Sequence, residues 1–201
     1  MALIATISSS PSSASRTEGV LSDITSNLVR HGHTVVPLVL RQLPPRALLL
    51  GDTSDPGIDA AVKLITSADA VVVTTPVYKA AYAGLLKTFL DLLPQFALHD
   101  KVVLPVATGG TPAHVLAVDY ALRPVLSSLG ATHITPGWFV LASHVTLFDN
   151  GEVLLDDAAA TPLREVTRVF LEAVDRHLTT VSEPLRQRSH SNLQRSQGVS
   201  A

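Results

Sequence analysis

The 201-residue chain contains no cysteine. That excludes a disulfide framework, a thiolate nucleophile and any cysteine-ligated zinc or iron–sulfur centre, and it fits a reducing, cytoplasmic setting. Charge of either sign is also scarce: 15 basic against 17 acidic residues give a net charge of −2. No basic block stands in the periodic part of the chain, which argues against nucleic acid as a partner. Long apolar runs are missing too. The opening MALIATISSS is apolar but too short to span a membrane, and it lacks the positive flank of a signal peptide. It reads as a buried strand.

The rest of the chain alternates between two kinds of segment. Ala2–Ile7 is an apolar run ending in serines, and Val20, Leu21, Ile24, Leu28 and Val29 then recur at helical spacing to Arg30. Gly32 stops that helix and Thr34–Val39 supplies a second strand. Asp55-Pro56 opens a helix to about Ser67, because aspartate caps free N–H groups and proline needs none at the first position. ADAVVVTT is a strand apolar on both faces, Gly84–Leu93 a helix, and KVVLPVATGG a fourth strand. Thr111-Pro112 opens a long helix to Leu129, and a fifth strand lies within Thr132–Leu141. LFDNGEVLL reads as a hairpin turning at Asn150-Gly151, and Thr161-Pro162 starts the last helix. Beyond Thr179 periodicity ends. The expectation is one domain over residues 1–178 and a tail over 179–201.

Strand and helix alternating five times predict an α/β fold, an open parallel sheet with helices on both faces. Ligands of such sheets lie outside the carboxyl ends of the strands, which selects three loops. Ser8–Glu18 offers hydroxyls and N–H groups at a helix start that favours an anion, yet carries neither GxGxxG nor a Walker sequence. Its serines, with Ser15 and Glu18 spaced as a capping box, are equally well an ordinary cap on a solvated loop. Glu18 would compete with a bound phosphate, and Arg16 is the residue placed to offset it. In TTPVYKAAYAG, Pro76 extends the strand, and Tyr78 and Tyr82 offer flat surfaces for a planar ligand. Lys79 read alone is a surface lysine. The third loop, ATGGTPAH, frees its backbone through Gly109 and Gly110, and His114 packs. His31 and His33 have no third ligand in view, so no metal site is assigned.

Three stretches, TTPVYKAAYAGLLKTFLDLLPQFAL, KVVLPVATGGTPAH and LAVDYALRPVLSSLG, together resemble the NAD(P)H-dependent FMN reductases of flavodoxin-like fold. The resemblance is nearest to the reductase components of two-component flavin monooxygenases acting on alkanesulfonates or aminopolycarboxylates. It is strong from Ala68 to Gly130 and fades after Leu141. It implies a five-stranded sheet of order 2-1-3-4-5 with FMN across the strand exits and NADH or NADPH as hydride donor to the flavin N5. Ser10 and Pro11 match the family's S-P-R phosphate loop, but Ser12 replaces its arginine. Phosphate binding then rests on Ser10, Ser12, Ser15, Arg16 and Thr17. Pro76, Val77, Tyr78 and Lys79 match the segment along the ribityl chain and ring, and Thr108, Gly109, Gly110 and Thr111 the loop at its polar edge. No catalytic acid or base is implied. The resemblance also implies a homotetramer built as a dimer of dimers, with Tyr120 at a π-bulge near its interface, and transient contact with a monooxygenase. The competing reading within the fold is a quinone, azo-dye or metal-oxyanion reductase that retains its FMN. A flavodoxin-like electron carrier is disfavoured by the absence of an acidic docking face.

Overall fold

The computed structural model describes residues 1–148 and 152–196, with side chains described as far as residue 180. The main sheet comprises β1 (Leu3–Ser8), β2 (Thr34–Val39), β3 (Ala70–Tyr78), β4 (Ala81–Tyr82), β5 (Val102–Gly109), β6 (His133–Ile134) and β7 (Trp138–Leu141), while β8 (Val145–Leu147) and β9 (Val153–Leu155) form a separate antiparallel pair. The helices are α1 (Arg16–Arg30), α2 (Pro45–Leu50), α3 (Pro56–Ser67), α4 (Gly84–Leu90), α5 (Arg123–Ser128) and α6 (Asp157–Ser196). Parallel pairing runs β2-β1-β3-β5-β6, with β7 farther along the same edge of β5. Counted as one interrupted strand, β6 and β7 complete the expected order 2-1-3-4-5. Pro136, which has no N–H for a ladder, stands in the interruption.

Alternation along the strands sorts the core into two layers. Val71, Val73 and Val103 pack with Ile58 and Ile65 of α3 and Leu86 and Phe89 of α4. Val72 and Leu104 face the other way, against Ile24 and Leu28 of α1 and Leu163 and Phe170 of α6. Phe89 and Phe170 are fully buried, each worth about 1.5–3 kcal/mol relative to exposure. The Asp55 carboxylate accepts from Gly57 N at 2.8 Å, which fixes the start of α3 before Pro56 as the sequence indicates.

Four elements depart from expectation. α6 begins at Asp157, not at Thr161-Pro162, because the Asp156 carboxylate accepts from Ala159 N at 3.0 Å and takes the cap. The helix expected over 111–129 is broken into a 3-10 turn at Pro112–His114, a π-helix at Val118–Leu122 and α5. Pro124 explains the widened turn: it has no N–H for the Tyr120 carbonyl four residues back, and its ring would strike that oxygen. Tyr120 thus lies within a π-helix, as the resemblance implied. Finally, β3 and β4 form an unexpected two-residue hairpin, Tyr78 opposite Ala81, with Lys79 and Ala80 at φ of 51° and 65°. α2 has no counterpart in the sequence reading. β8 and β9 pair as the expected hairpin requires, although Asn150 and Gly151 fall outside the described residues. The segment expected as a tail from Thr179 continues α6 as far as Ser196, with side chains described only to residue 180, and residues 197–201 lie outside the described set.

His33, 9% exposed, joins α1 to β2, and its Nδ1 accepts from Ala2 N at 3.3 Å. Burial lowers its pKa from the ordinary 6.5, against a smaller upward pull from Asp175. The unfolded chain therefore binds the proton more readily. The stability this neutral ring contributes is complete above pH 6.5 and is lost as pH falls from there through the lowered folded value. A melting temperature that drops over this window is expected, at about 2–4 °C per kcal/mol lost. His33→Asn should flatten that limb, and an unchanged profile would place the acid sensitivity elsewhere.

Candidate functional site

Parallel registry brings the exits of β1, β3 and β5 side by side, with Ser8 opposite Thr74 and Pro76 opposite Thr108. Buried hydroxyls then tie the three loops together. Ser9 donates from N and Oγ to the Thr74 carbonyl at 3.1 and 3.0 Å, and Thr74 Oγ1 returns a bond to the Ile7 carbonyl at 2.8 Å. Thr17 and Thr108 share a hydroxyl–hydroxyl bond of 2.6 Å. Thr75 Oγ1 accepts from Ala83 N at 2.9 Å and pins the return of the β3–β4 hairpin.

Between these loops lies a cavity of about 220 Å³. The first loop lines it with Ser10, Ser12, Ser15, Arg16 and Thr17, the second with Pro76, Val77 and Tyr78, and the third with Thr108, Gly109 and Gly110. Ala14 and Ala142, which sequence reasoning did not select, complete the wall. Lys79 and Thr111 stand outside it. Lys79 is exposed on the hairpin turn, and Thr111 Oγ1 accepts from Ala113 N at 3.3 Å, capping the 3-10 turn. His114 belongs to that turn and is half-buried.

Among the described residues no carboxylate lines this cavity, and Arg16 is the one charged side chain that does. Arg16 Nε donates to the Val145 carbonyl at 3.0 Å, so the base of the β8–β9 pair holds the guanidinium at the rim. The expectation that Arg16 offsets Glu18 is corrected here. Glu18 pairs instead with Arg41, and Ser8 Oγ donates to the same carboxylate oxygen at 3.1 Å. Ser15 Oγ accepts from Glu18 N at 3.3 Å, the helix-capping half of the capping box. Arg41 was missed because it stands 23 residues away on another element, and no local spacing signals the pair.

A larger cavity of about 830 Å³ lies between α1 and the β8–β9 pair, lined in part by Glu18, Asp23 and Glu152. Even with Glu18 paired to Arg41, this acidic lining makes it a poor host for an anion. The smaller cavity fits an anionic, planar ligand better. Its hydroxyls cluster at the start of the 15-residue helix α1, where the dipole favours negative charge. Tyr78 is 50% exposed and presents a flat apolar face. A Cβ placed on Gly110 would meet nothing within 4 Å, so the structure itself has no steric need for glycine there. A ligand approaching the backbone would.

A doubly covered parallel sheet of this order, with a carboxylate-free cleft at its strand exits, defines a flavodoxin-like α/β protein. Residues 2–146 match the family model described as NADPH-dependent FMN reductase, and the chain belongs to that family. It is 46% identical over 143 residues to the FMN reductase (NADPH) of Pseudomonas putida, covering 71% of this chain and 73% of that one. It is likewise 46% identical over 142 residues to the enzyme of the same name from Escherichia coli, covering 71% and 74%. Among solved structures, an apo NADH:FMN oxidoreductase superposes with a TM-score of 0.74 at 42% identity, covering 85% of this chain and 88% of that one. The chain is an oxidoreductase that works with FMN and NADH or NADPH.

Proposed function

We propose that this enzyme handles FMN as a substrate, which enters oxidised and leaves reduced to serve a separate flavin-dependent monooxygenase. One observation carries the reading. Among the described residues the phosphate end of the cleft has a single guanidinium, already engaged by the Val145 carbonyl, and a serine at position 12 where the family resemblance expects arginine. Hydroxyl and N–H donors hold a phosphate less tightly than paired, bidentate guanidinium groups do. A flavin so held exchanges.

In this reading Ser10, Ser12, Ser15, Arg16 and Thr17 hold the phosphate. Pro76, Val77 and Tyr78 run along the ribityl chain and ring, with Lys79 at the outer rim. Thr108, Gly109 and Gly110 meet the polar edge of the ring, with Thr111 behind them capping the 3-10 turn. Bound FMN supplies the hydride acceptor, its N5. The residues of the chain orient flavin and nicotinamide and keep water out, and no side chain acts as acid or base. Val115, Leu116 and Tyr120, exposed by 49%, 58% and 79%, form an apolar patch beside the third loop. That patch supports a dimer-of-dimers homotetramer. No described helix is long and apolar enough to cross a membrane, and the absence of cysteine supports a cytoplasmic setting.

The test is the oxidation of NADH and of NADPH by extensively dialysed protein, with and without added FMN. Turnover that is negligible until FMN is added, and then saturates with it, is the expected result. Protein that stays yellow through dialysis and reduces quinones or dyes unaided would overturn the supplier role in favour of a retained flavin.

A further inference from the structure

Glu18 is out of place for an FMN site. It puts a carboxylate in the first turn of α1, the helix whose start is assigned the flavin phosphate, and a like charge there opposes binding. The structure cancels this charge without using the cation nearest in sequence. Arg41 comes from the 3-10 turn Leu40–Gln42 that follows β2, and its Nη1 meets Glu18 Oε1. Ser8 Oγ donates to that same oxygen at 3.1 Å, which anchors the carboxylate at the last residue of β1, just before the first loop. The two side chains are only 22% and 26% exposed, so solvent screens the pair incompletely. Arg16 faces the other way, to the Val145 carbonyl, and keeps its place in the cavity wall.

We propose that Arg41 is a specificity-determining positioning residue: by pairing with Glu18 it prevents that carboxylate from repelling the flavin phosphate across the first turn of α1, and so sets the preference for FMN over riboflavin. This rests on the reading of the Ser10–Thr17 loop as the phosphate cradle. Neither Arg41 nor Glu18 lines the cavity; Glu18 borders the larger one, between α1 and the β8–β9 pair. Removing Arg41 leaves Glu18 charged and unpaired by any cation in the first turn of α1, whose start holds the phosphate. That repulsion acts through space, penalises FMN and does not touch riboflavin. Once Glu18 is neutral, Arg41 has nothing left to cancel.

The experiment measures KM and kcat for FMN and for riboflavin, at saturating nicotinamide cofactor, in the wild type, Arg41→Met, Glu18→Gln and the double variant. The wild type should prefer FMN. Arg41→Met should raise the FMN KM about tenfold, the order expected of one uncompensated charge near an anion in a partly screened site. Its kcat and riboflavin KM should stay unchanged, and added salt should narrow the FMN gap. The double variant should return the FMN KM to within about twofold of wild type, since the two residues form one coupled unit. Glu18→Gln alone should leave the FMN KM at or below wild type, a check that holds even where Arg41→Met is too unstable to assay. An Arg41→Met penalty equal for both flavins, a failure of Glu18→Gln to rescue it, or a weaker FMN KM in Glu18→Gln alone would each overturn the role of Arg41 while leaving the cradle intact. A wild type that does not distinguish FMN from riboflavin would remove the cradle itself, and this role with it.

Discussion

Gly110→Val is expected to lower kcat/KM for FMN on the order of 100-fold while leaving the fold intact. Gly110 is exposed, its backbone lies outside the left-handed region, and nothing in the protein comes within 4 Å of a Cβ placed on it. A side chain there projects into open space beside the cavity that holds Tyr78 and Thr108. The cost therefore falls on the ligand. Two branched methyls at the ring's polar edge would lift the flavin by an ångström or more, and displacement of that size is worth about 100-fold in a reacting pair. The melting temperature should reflect a change within about 0.5 kcal/mol, as for an ordinary surface substitution. Titration with FMN alongside thermal melts separates the two effects. An unaltered kcat/KM would place the flavin away from the third loop.

Gly109→Ala should do the opposite, damaging the fold first. A Cβ on Gly109 would stand 2.5 Å from Phe139 Cζ and 2.9 Å from Cε2. That ring has little room to retreat, since Phe139 is 8% exposed and packed with Ala107, Val118, Val77 and Leu141. Overpacking of this kind costs about 1–3 kcal/mol, or roughly 2–12 °C in melting temperature for a chain of this size. Relieving the clash with Phe139→Leu in the same chain should recover much of the loss. A Gly109→Ala protein as stable as wild type would mean that β5 and β7 separate easily at their ends, contrary to the Gly109–Leu141 pairing.

Adjacent glycines in one loop thus have different reasons to be glycine, and the sequence alone cannot separate them. What it could reveal was anything written in local periodicity. α1 and α3 were legible from apolar spacing and capping residues, and β3 and β5 from runs of valine too short for buried helices. The cavity wall was legible because parallel topology brings strand exits together whatever their side chains. The β3–β4 hairpin was hidden for a physical reason. A two-residue turn with left-handed backbone at both positions normally announces itself with Asn-Gly, and here Lys79 and Ala80 occupy it. Such positions cost about 1–2 kcal/mol each for residues with a Cβ, which the surrounding strand pairing must offset. The Glu18–Arg41 pair was hidden because it forms only when β2 is laid beside β1, a contact with no signature along the chain.

The 2.6 Å bond between Thr17 and Thr108 has a kinetic meaning. Together with the Ser9–Thr74 bonds, it leaves the three loops assembled before any flavin arrives. Little ordering entropy then remains to be lost on association, and encounter with FMN should approach the fast end of the range open to rigid partners. Affinity in such a site is governed by how long the flavin stays, not by how often it is captured. Under the proposed role of FMN as substrate, a rigid cradle of this kind favours short residence, each flavin being loaded, used and let go within a turnover.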